Sequence, residues 1–148
     1  MADKNILVVD DDYNVHEILE MYLKEENYKM ISAYNGEEAL EKLNNNKIDL
    51  IVLDIMMPKM DGKEVVKEIR KDNEVAIIFL SAKSEEFDRV LGLELGADDY
   101  VTKPFSPREM VVRIKTVLKR IDSNQSNNNV TDREIIEYPN LKIDLSDR

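Results

Sequence analysis

Apolar and polar positions along this chain follow two alternating periods. Short apolar or β-branched runs occupy residues 6–9, 29–33, 50–53, 76–80 and 100–102. The third and fourth runs are apolar without alternation, which is typical of strands that are covered on both faces. Between the runs, apolar residues recur with the three-and-four spacing of one helix face. The pattern therefore predicts five strands that alternate with helices.

The predicted helices occupy the segments between these runs. The apolar face of the first helix consists of Val15, Ile18, Leu19, Tyr22 and Leu23. The second opens at Asn35-Gly36 and the third follows the turn at Asp61-Gly62. The fourth is expected over residues 84–95 and the fifth over residues 106–120. This alternation predicts an α/β fold with a five-stranded parallel, doubly wound sheet and helices on both faces.

The composition of the sequence changes after residue 121. Residues 122–131 are almost wholly polar and include four asparagines, which predicts a flexible linker. Residues 132–148 contain two short strand-like runs but are too few to bury a core of their own. We therefore expect one domain over residues 1–121, a linker over 122–131, and the opening strands of an incomplete second domain over 132–148.

Composition and charge exclude several classes of function. The chain has no cysteine, which excludes thiolate metal sites and cysteine nucleophiles. Its net charge of −10 argues against nucleic-acid binding through the overall field of the chain. No run approaches the ~20 apolar residues of a membrane span. No N-terminal run resembles a signal peptide, so a cytoplasmic location without membrane contact is expected.

The residues that close the predicted strands carry the candidate chemistry. Asp10 and Asp11 close the first strand, Asp54 the third and Ser81 the fourth, and Lys103 follows the fifth. In parallel sheets, ligands bind beyond the carboxyl ends of the strands. Clustered carboxylates repel one another unless a cation lies among them, and Mg²⁺ prefers such oxygen ligands. A carboxylate nucleophile, a metal, a hydroxyl and a lysine are suited to receive a phosphoryl group.

Each of these residues also has an ordinary structural explanation. The triplet that ends at Asp12 is typical of a turn or a helix N-cap, and Asp54 alone could cap the turn before Pro58. Ser81 alone is more often a cap, and Lys103 alone is usually a solvated side chain. The functional interpretation depends on their convergence at successive strand ends.

Four motifs occur in unbroken order: ILVVDD at 6–11, DIMMP at 54–58, LSA at 80–82 and GADDYVTKPF at 96–105. With them, residues 5–121 closely resemble the receiver domain of bacterial two-component response regulators, which has a flavodoxin-like or CheY-like fold. The resemblance implies that Asp54 is the phosphoacceptor for a phosphohistidine on a sensor histidine kinase. It also implies that Asp11, Asp54 and the backbone carbonyl of Met56 ligate Mg²⁺, with Asp10 contributing through water.

The same resemblance implies a switch. Lys103 would pair with the phosphoryl group, Ser81 would hydrogen-bond it, and Tyr100 would turn inward into the space that Ser81 vacates. Asp12 has no implied ligand role, and we interpret it as a local cap.

Residues 88–115 resemble the OmpR/PhoB group of DNA-binding response regulators. In that group, phosphorylation favours a two-fold homodimer through the fourth helix, fifth strand and fifth helix. The implied interface residues are Arg89, Leu93, Glu94, Asp98, Asp99, Glu109, Val111, Arg113 and Lys115. The expected pairs across the interface are Arg89 with Glu109, Asp99 with Arg113, and Glu94 with Lys115. The alternative is an ordinary solvated helix face of mixed charge.

The C-terminal segment resembles the opening strands of a winged-helix effector domain. The recognition helix is absent from the sequence, so DNA binding is expected of an intact protein and not of this chain. Two alternatives remain. A stand-alone receiver would act by docking on a partner. A haloacid-dehalogenase-type phosphatase would need an acidic residue at the position of Met56, so we expect no turnover enzyme.

Two expectations concern residues outside the motifs. His16, the only histidine, is expected to be exposed on the first helix and without a special role. Met21, Met30 and Met110 are expected to fill the core.

Overall fold

Five parallel strands form one sheet, in the order β2-β1-β3-β4-β5. The computed structural model describes residues 4–57, 60–82 and 94–129, with side chains described as far as residue 123. The strands, β1 to β5 in chain order, are Asn5–Val9, Lys29–Ala33, Leu50–Asp54, Ala76–Ser81 and Asp99–Thr102. The predicted five-stranded parallel α/β sheet is confirmed.

Four helices are numbered here in chain order among the described residues. They are α1 (Tyr13–Glu25), α2 (Gly36–Asn45), α3 (Gly62–Ile69) and α4 (Pro107–Asn129). Because crossovers between parallel strands are right-handed, the strand order places α1 on one face of the sheet and α2 and α3 on the other. Among the described residues, no helix combines the length and apolar character that a membrane span requires.

Three predicted segments differ from the structure or lie outside it. Most of the helix predicted over residues 84–95 lies outside the described residues, and so does the segment 132–148. The last helix is longer than predicted, since α4 continues to Asn129 through most of the segment that was expected to be a linker. The internal contacts of the chain divide it into two units, with the boundary after Leu118. Every residue of the candidate site precedes that boundary.

The register of the central strands decides which side chains meet at the carboxyl edge of the sheet. Val9 pairs with Leu53 and Ser81 pairs with Thr102. The residue that follows Val9 is Asp10 and the residue that follows Leu53 is Asp54, so these two carboxylates emerge side by side. β3 and β4 are buried along their whole length, as their uninterrupted apolar runs predict.

Short polar side chains fix where the helices begin. The side chain of Asp12 accepts a hydrogen bond from the N–H of Asn14, so its predicted role as a local cap is confirmed. Asp61 caps α3 in a reciprocal arrangement with Glu64. The helix α3, which follows β3, therefore begins at a defined point.

Two expectations about α1 were wrong. His16 is buried, with 5% of its surface exposed, because it faces the ends of β1 and β2 and not solvent. Met21 is 62% exposed because it lies off the apolar face of α1. Met110 is fully buried, as expected, and Met30 is partly buried.

Gly62 lies where any side chain would collide with the backbone at the end of β3. A Cβ at this position would come within 2.8 Å of the Asp54 carbonyl oxygen and of Ile55 Cα. Such backbone atoms cannot move aside as a flexible side chain can. We therefore predict that Gly62→Ala lowers the free energy of unfolding by about 1–3 kcal/mol, the usual cost of overpacking. Urea denaturation followed by circular dichroism measures this.

The matched control for this change is Lys63→Ala, in the same turn of α3. Lys63 is partly exposed, and shortening it to alanine places no new atom against β3. A Gly62→Ala protein as stable as the Lys63→Ala protein would show that the two backbones are not held in close contact.

Candidate functional site

Asp54 ends β3 and is almost completely buried, with 3% of its surface exposed. Its Oδ1 accepts a hydrogen bond of 3.0 Å from the N–H of Met56. Its Oδ2 lies 3.5 Å from Lys103 Nζ. One carboxylate oxygen is therefore held by the backbone, and the other faces an amine.

Asp10 lies beside Asp54 and is fully buried. Its Oδ1 accepts the N–H of Asp12 at 2.9 Å. Its Oδ2 lies 3.0 Å from Lys103 Nζ, but no donor in the described part of the chain reaches this atom with hydrogen-bond geometry. A buried carboxylate oxygen without a hydrogen bond is costly, and it retains the capacity to accept one or to bind a cation.

Asp11 completes a group of three carboxylates. Asp10, Asp11 and Asp54 each offer an oxygen atom, and these atoms lie within 4.8 Å of one another. Asp11 is exposed, whereas the other two are buried. A set of close carboxylate oxygens, one of them unsatisfied, fits a hard divalent cation such as Mg²⁺, which takes oxygen ligands and keeps part of its water.

Lys103 supplies the positive charge of the site. It follows β5, and its N–H donates to the carbonyl of Ser81 at 2.7 Å, which fixes its backbone to the neighbouring strand end. Burial alone would lower the pKa of Lys103, but contacts with Asp10 and Asp54 outweigh it, so the pKa lies above its ordinary value. Lys103 is therefore a permanent cation. The peptide bond between Lys103 and Pro104 is cis.

The pKa of Asp54 is raised from 3.8 to about 6. Burial is the largest cause and the charge of Asp10 adds to it, while Lys103 and the Met56 N–H act in the opposite direction. Burial therefore prevails over the nearby lysine. At neutral pH the carboxylate is mostly ionised, although it is held in a setting that favours its neutral form.

Three further predicted residues lie at the same edge of the sheet. Ser81 ends β4 and is buried, with 1% of its surface exposed. Tyr100 in β5 is also buried, at 7% exposed, and is paired in register with Phe79. The side chain of Met56, two residues after Asp54, is 51% exposed. The structure thus groups Asp10, Asp11, Asp54 and Lys103 at one edge of the sheet, with Ser81 at the end of the neighbouring strand and Tyr100 two residues before the end of β5.

The predicted dimer face is only partly described. Arg89 and Leu93 lie outside the described residues. Of the cations, Arg113 pairs within its own chain, with Nη1 3.0 Å from both carboxylate oxygens of Asp99 and Nη2 3.0 Å from Glu109 Oε2. These contacts raise the pKa of Arg113. The Asp99–Arg113 pair that was expected across an interface therefore forms inside one chain.

Other members of that face also contact their own chain. Lys115 Nζ lies 3.1 Å from Oε1 of Glu26, the residue that follows α1. Asp98 Oδ2 accepts the N–H of Ile77 at 2.9 Å. Val111 is buried, with 6% exposed, so it belongs to the core of the chain. On the described part of this face, the exposed apolar side chain is that of Val112, at 59%.

The buried polar residue that the sequence interpretation placed on the surface is His16. Its Nε2 lies 2.8 Å from the carbonyl oxygen of Asp10, and its Nδ1 lies 2.8 Å from Ser32 Oγ. A signal was present, because His16, Leu19 and Leu23 follow the i, i+3, i+7 spacing of one buried helix face. Because the histidine side chain is polar, it was not counted as part of this buried face.

The raised pKa of Asp54 generates a prediction about stability. Because the folded-state value of about 6 exceeds the unfolded value of 3.8, the folded state binds more protons between them. Stability is then lost as the pH rises through this window, and the full cost is reached above it. In EDTA at about pH 7.5, Asp54→Asn should raise the free energy of unfolding by about 1–3 kcal/mol. Below about pH 4 the gain should vanish.

Urea unfolding at several pH values measures this difference, with Asp72→Asn as the control. Asp72 is exposed, so its substitution removes a carboxylate without relieving burial. An Asp54→Asn protein no more stable than the control at about pH 7.5 would contradict the argument from burial.

Comparison with known proteins agrees with this geometry. The model of the response regulator receiver domain family matches residues 6–115. Over 146 residues the chain is 49% identical to a probable transcriptional regulator, ycf27, of Porphyridium aerugineum. That match covers 99% of this chain but 61% of the relative, so the chain spans about three fifths of its length.

Two solved structures extend the comparison to the fold. The receiver domain of the Francisella response regulator 1452 is 37% identical with a TM-score of 0.76, covering 80% of this chain and 98% of that one. The BeF3-activated N-terminal receiver domain of Klebsiella pneumoniae RstA is 30% identical with a TM-score of 0.73, covering 78% and 98%. With the family match and the acidic strand-end site, these similarities establish that the chain belongs to the response regulator receiver domain family of two-component systems.

Proposed function

We propose that this chain is a phosphorylation-operated switch in which Asp54 accepts a phosphoryl group from a phosphohistidine on a sensor histidine kinase. The observation that supports this most directly is the position of Asp54. Its buried carboxylate ends a central strand, with two further carboxylates and Lys103 Nζ around it. A storage site for a phosphoryl group needs this combination of nucleophile and positive charge.

The proposed transfer step follows from the two oxygens of Asp54. Oδ1 is held by the N–H of Met56, while Oδ2 faces Lys103. A carboxylate oxygen forms a bond to phosphorus as the bond between phosphorus and the histidine nitrogen breaks. The electron pair of that bond stays on the imidazole, and the product is an aspartyl phosphate. Lys103 Nζ is placed to balance the negative charge that arrives.

Mg²⁺ is the proposed cofactor, held by Asp11, Asp54 and the backbone carbonyl of Met56, with Asp10 contributing through water. When bound, it would offset the charge of the phosphoryl oxygens. The fit rests on the three carboxylates and on the buried Asp10 oxygen that lacks a hydrogen bond among the described residues. Because two buried carboxylates share one lysine, a bound cation would also reduce the repulsion between them.

The same site argues for storage over turnover. A phosphatase that uses an aspartate nucleophile needs a proton donor for the leaving group, and the side chain two residues beyond Asp54 is that of Met56. Methionine donates no proton. We therefore propose that the chain transfers and loses its phosphoryl group slowly and is not a turnover enzyme.

The proposed output is dimerisation through the face that includes β5 and α4. Ser81 would bind the phosphoryl group, and the side chain of Tyr100, which is already buried, would occupy the space that Ser81 vacates, which links the site to β5. Asp99 in β5 already contacts Arg113 on α4, so a shift of this strand would reach the charged residues of the face. The charged pairs would select the partner more than bind it, because exposed pairs are worth ~0–1 kcal/mol.

The last part of the proposal concerns the longer protein. The chain is homologous to a probable transcriptional regulator but spans three fifths of its length. We propose that the intact protein is a cytoplasmic transcription regulator of the OmpR/PhoB type that binds DNA through an effector domain after residue 131. A stand-alone receiver that docks on another protein is the alternative, and analysis of the full-length protein on DNA distinguishes the two.

Phosphorylation itself is tested by mass spectrometry. The chain is incubated with Mg²⁺ and a small-molecule phosphodonor beside its Asp54→Asn variant. We expect the native chain to gain the mass of one phosphoryl group and the variant to gain none. EDTA should abolish the gain, because the carboxylate cluster then lacks its cation. Equal modification of the variant would place the acceptor elsewhere.

Dimerisation is tested with beryllofluoride, a stable mimic of the phosphoryl group, and sedimentation of the complex. Arg113→Glu places a third acid beside Asp99 and Glu109, so we expect dimerisation to weaken about tenfold. Lys24→Glu changes the net charge equally but lies exposed on α1, and it should dimerise like the native chain. A native chain that stays monomeric when loaded would refute the dimer, whatever the variants do.

A further inference from the structure

One buried polar side chain has no place in the phosphoryl site as described above. His16 is on α1, and the other described buried residues of that helix are Val15, Leu19 and Leu23. We propose that His16 is a positioning residue for the divalent-cation site, holding the peptide group between Asp10 and Asp11. This inference rests on the proposed function, because it concerns the same cation.

The contacts of the imidazole connect three elements. Its Nε2 lies 2.8 Å from the carbonyl oxygen of Asp10, at the end of β1. Its Nδ1 lies 2.8 Å from Ser32 Oγ in β2. The ring also packs against Tyr34, with centroids 4.3 Å apart. His16 is 5% exposed, so these contacts are formed away from water.

The hydrogen-bonding roles of the ring follow from its partners. A carbonyl oxygen only accepts, so Nε2 must carry the proton and donate to Asp10. In the neutral ring Nδ1 then accepts the hydroxyl hydrogen of Ser32. The geometry therefore assigns the Nε2–H tautomer. The carbonyl of Asp10 lies one residue beyond the end of β1, and His16 supplies its hydrogen-bond donor.

A bond to this carbonyl constrains Asp11 as well as Asp10. The peptide unit is planar, so fixing the carbonyl of Asp10 also fixes the nitrogen of Asp11. Asp10 has other anchors, because its N–H donates to the carbonyl of Ala33 and its side chain contacts the N–H of Asp12. The Asp11 carboxylate has no hydrogen bond or ion pair recorded within residues 4–57, 60–82 and 94–123. Its direction therefore depends on its backbone.

This dependence gives His16 a role beyond packing. Groups that orient metal ligands from outside the coordination sphere alter metal affinity about 10–100-fold when they are removed. Loss of the His16 donor should free the peptide group between the two aspartates. The predicted consequence is a weaker cation site with little change in phosphoryl transfer once the cation saturates it.

The experiment compares His16→Leu with His16→Gln in the intact chain. Leucine retains an apolar side chain but no donor, whereas the glutamine amide nitrogen can reach the position of Nε2. The Kd for MgCl₂ is measured from amide chemical shifts. We expect about a tenfold or greater increase in Kd for His16→Leu, and a substantial return toward the native value for His16→Gln. Initial rates of phosphorylation by a small phosphodonor should differ at limiting Mg²⁺ and converge at saturation.

Two controls separate positioning from general stability. Leu23→Val trims the same face of α1 two turns away, so it lowers stability without touching Asp10. If it weakens Mg²⁺ binding as much as His16→Leu, or if glutamine restores nothing, the inference is overturned. The native chain gives an independent reading, because imidazole ¹⁵N shifts report the tautomer. A ring that carries its proton on Nδ1 and not on Nε2 would refute the donor role even if the variants failed to fold.

The outcome also distinguishes this inference from the proposed function. A native chain that does not bind Mg²⁺ would overturn both. A native chain that binds Mg²⁺ with the same Kd as His16→Leu would overturn the role of His16 alone.

Discussion

The structure depends on one electrostatic constraint, the burial of two adjacent carboxylates at the ends of β1 and β3. Asp10 and Asp54 are almost without solvent contact, and both lie within 3.5 Å of the single amine of Lys103. Removing a charge from water costs several kcal/mol unless it is paired and hydrogen-bonded. One cation cannot fully satisfy two carboxylates. Burial is the largest cause of the raised pKa of Asp54, and the charge of Asp10 adds to it more than the charge of Lys103 offsets.

The surrounding fold keeps this arrangement from relaxing. The register of β1 against β3 fixes the two strand ends, and Gly62 lets α3 approach the backbone of Asp54 more closely than any other residue would. Lys103 is held by its N–H bond to the carbonyl of Ser81. The carboxylates cannot swing into water without breaking these contacts. An incoming cation is then the remaining way to lower the charge repulsion, and below about pH 6 protons would compete for the same carboxylate.

The sequence predicts the sheet and its acidic edge well because both are local signals. Uninterrupted apolar runs mark β3 and β4, and the residues that end parallel strands must meet at one edge whatever the details of packing. The role of Asp12 is also local, since a cap is decided within one turn. The strand order then brings the ends of β1 and β3, and with them Asp10 and Asp54, side by side.

Other features depend on contacts between distant segments, and the sequence predicts them poorly. His16 was judged by its polarity, yet Ser32 and the carbonyl of Asp10 satisfy both of its ring nitrogens inside the fold. Met21 was judged by its apolar character, although its position on α1 turns it to solvent. The partners of Arg113 and Lys115 were also predicted poorly, because charge patterns do not say whether a pair forms within a chain or between chains.

Those intrachain pairs bear on how a dimer could be controlled. Arg113 already contacts Asp99 and Glu109, so a dimer that uses Arg113 exchanges one pair for another instead of adding a new one. The net gain from such an exchange is small, because an exposed pair contributes at most about 1 kcal/mol. Weak net attraction suits a switch, since strong contacts would join unphosphorylated chains as well. A bias of about 1.4 kcal/mol already changes an equilibrium tenfold. In the proposed switch, the state of Asp54 would reach this surface through a shift of β5 at Asp99 that changes the balance between these pairs.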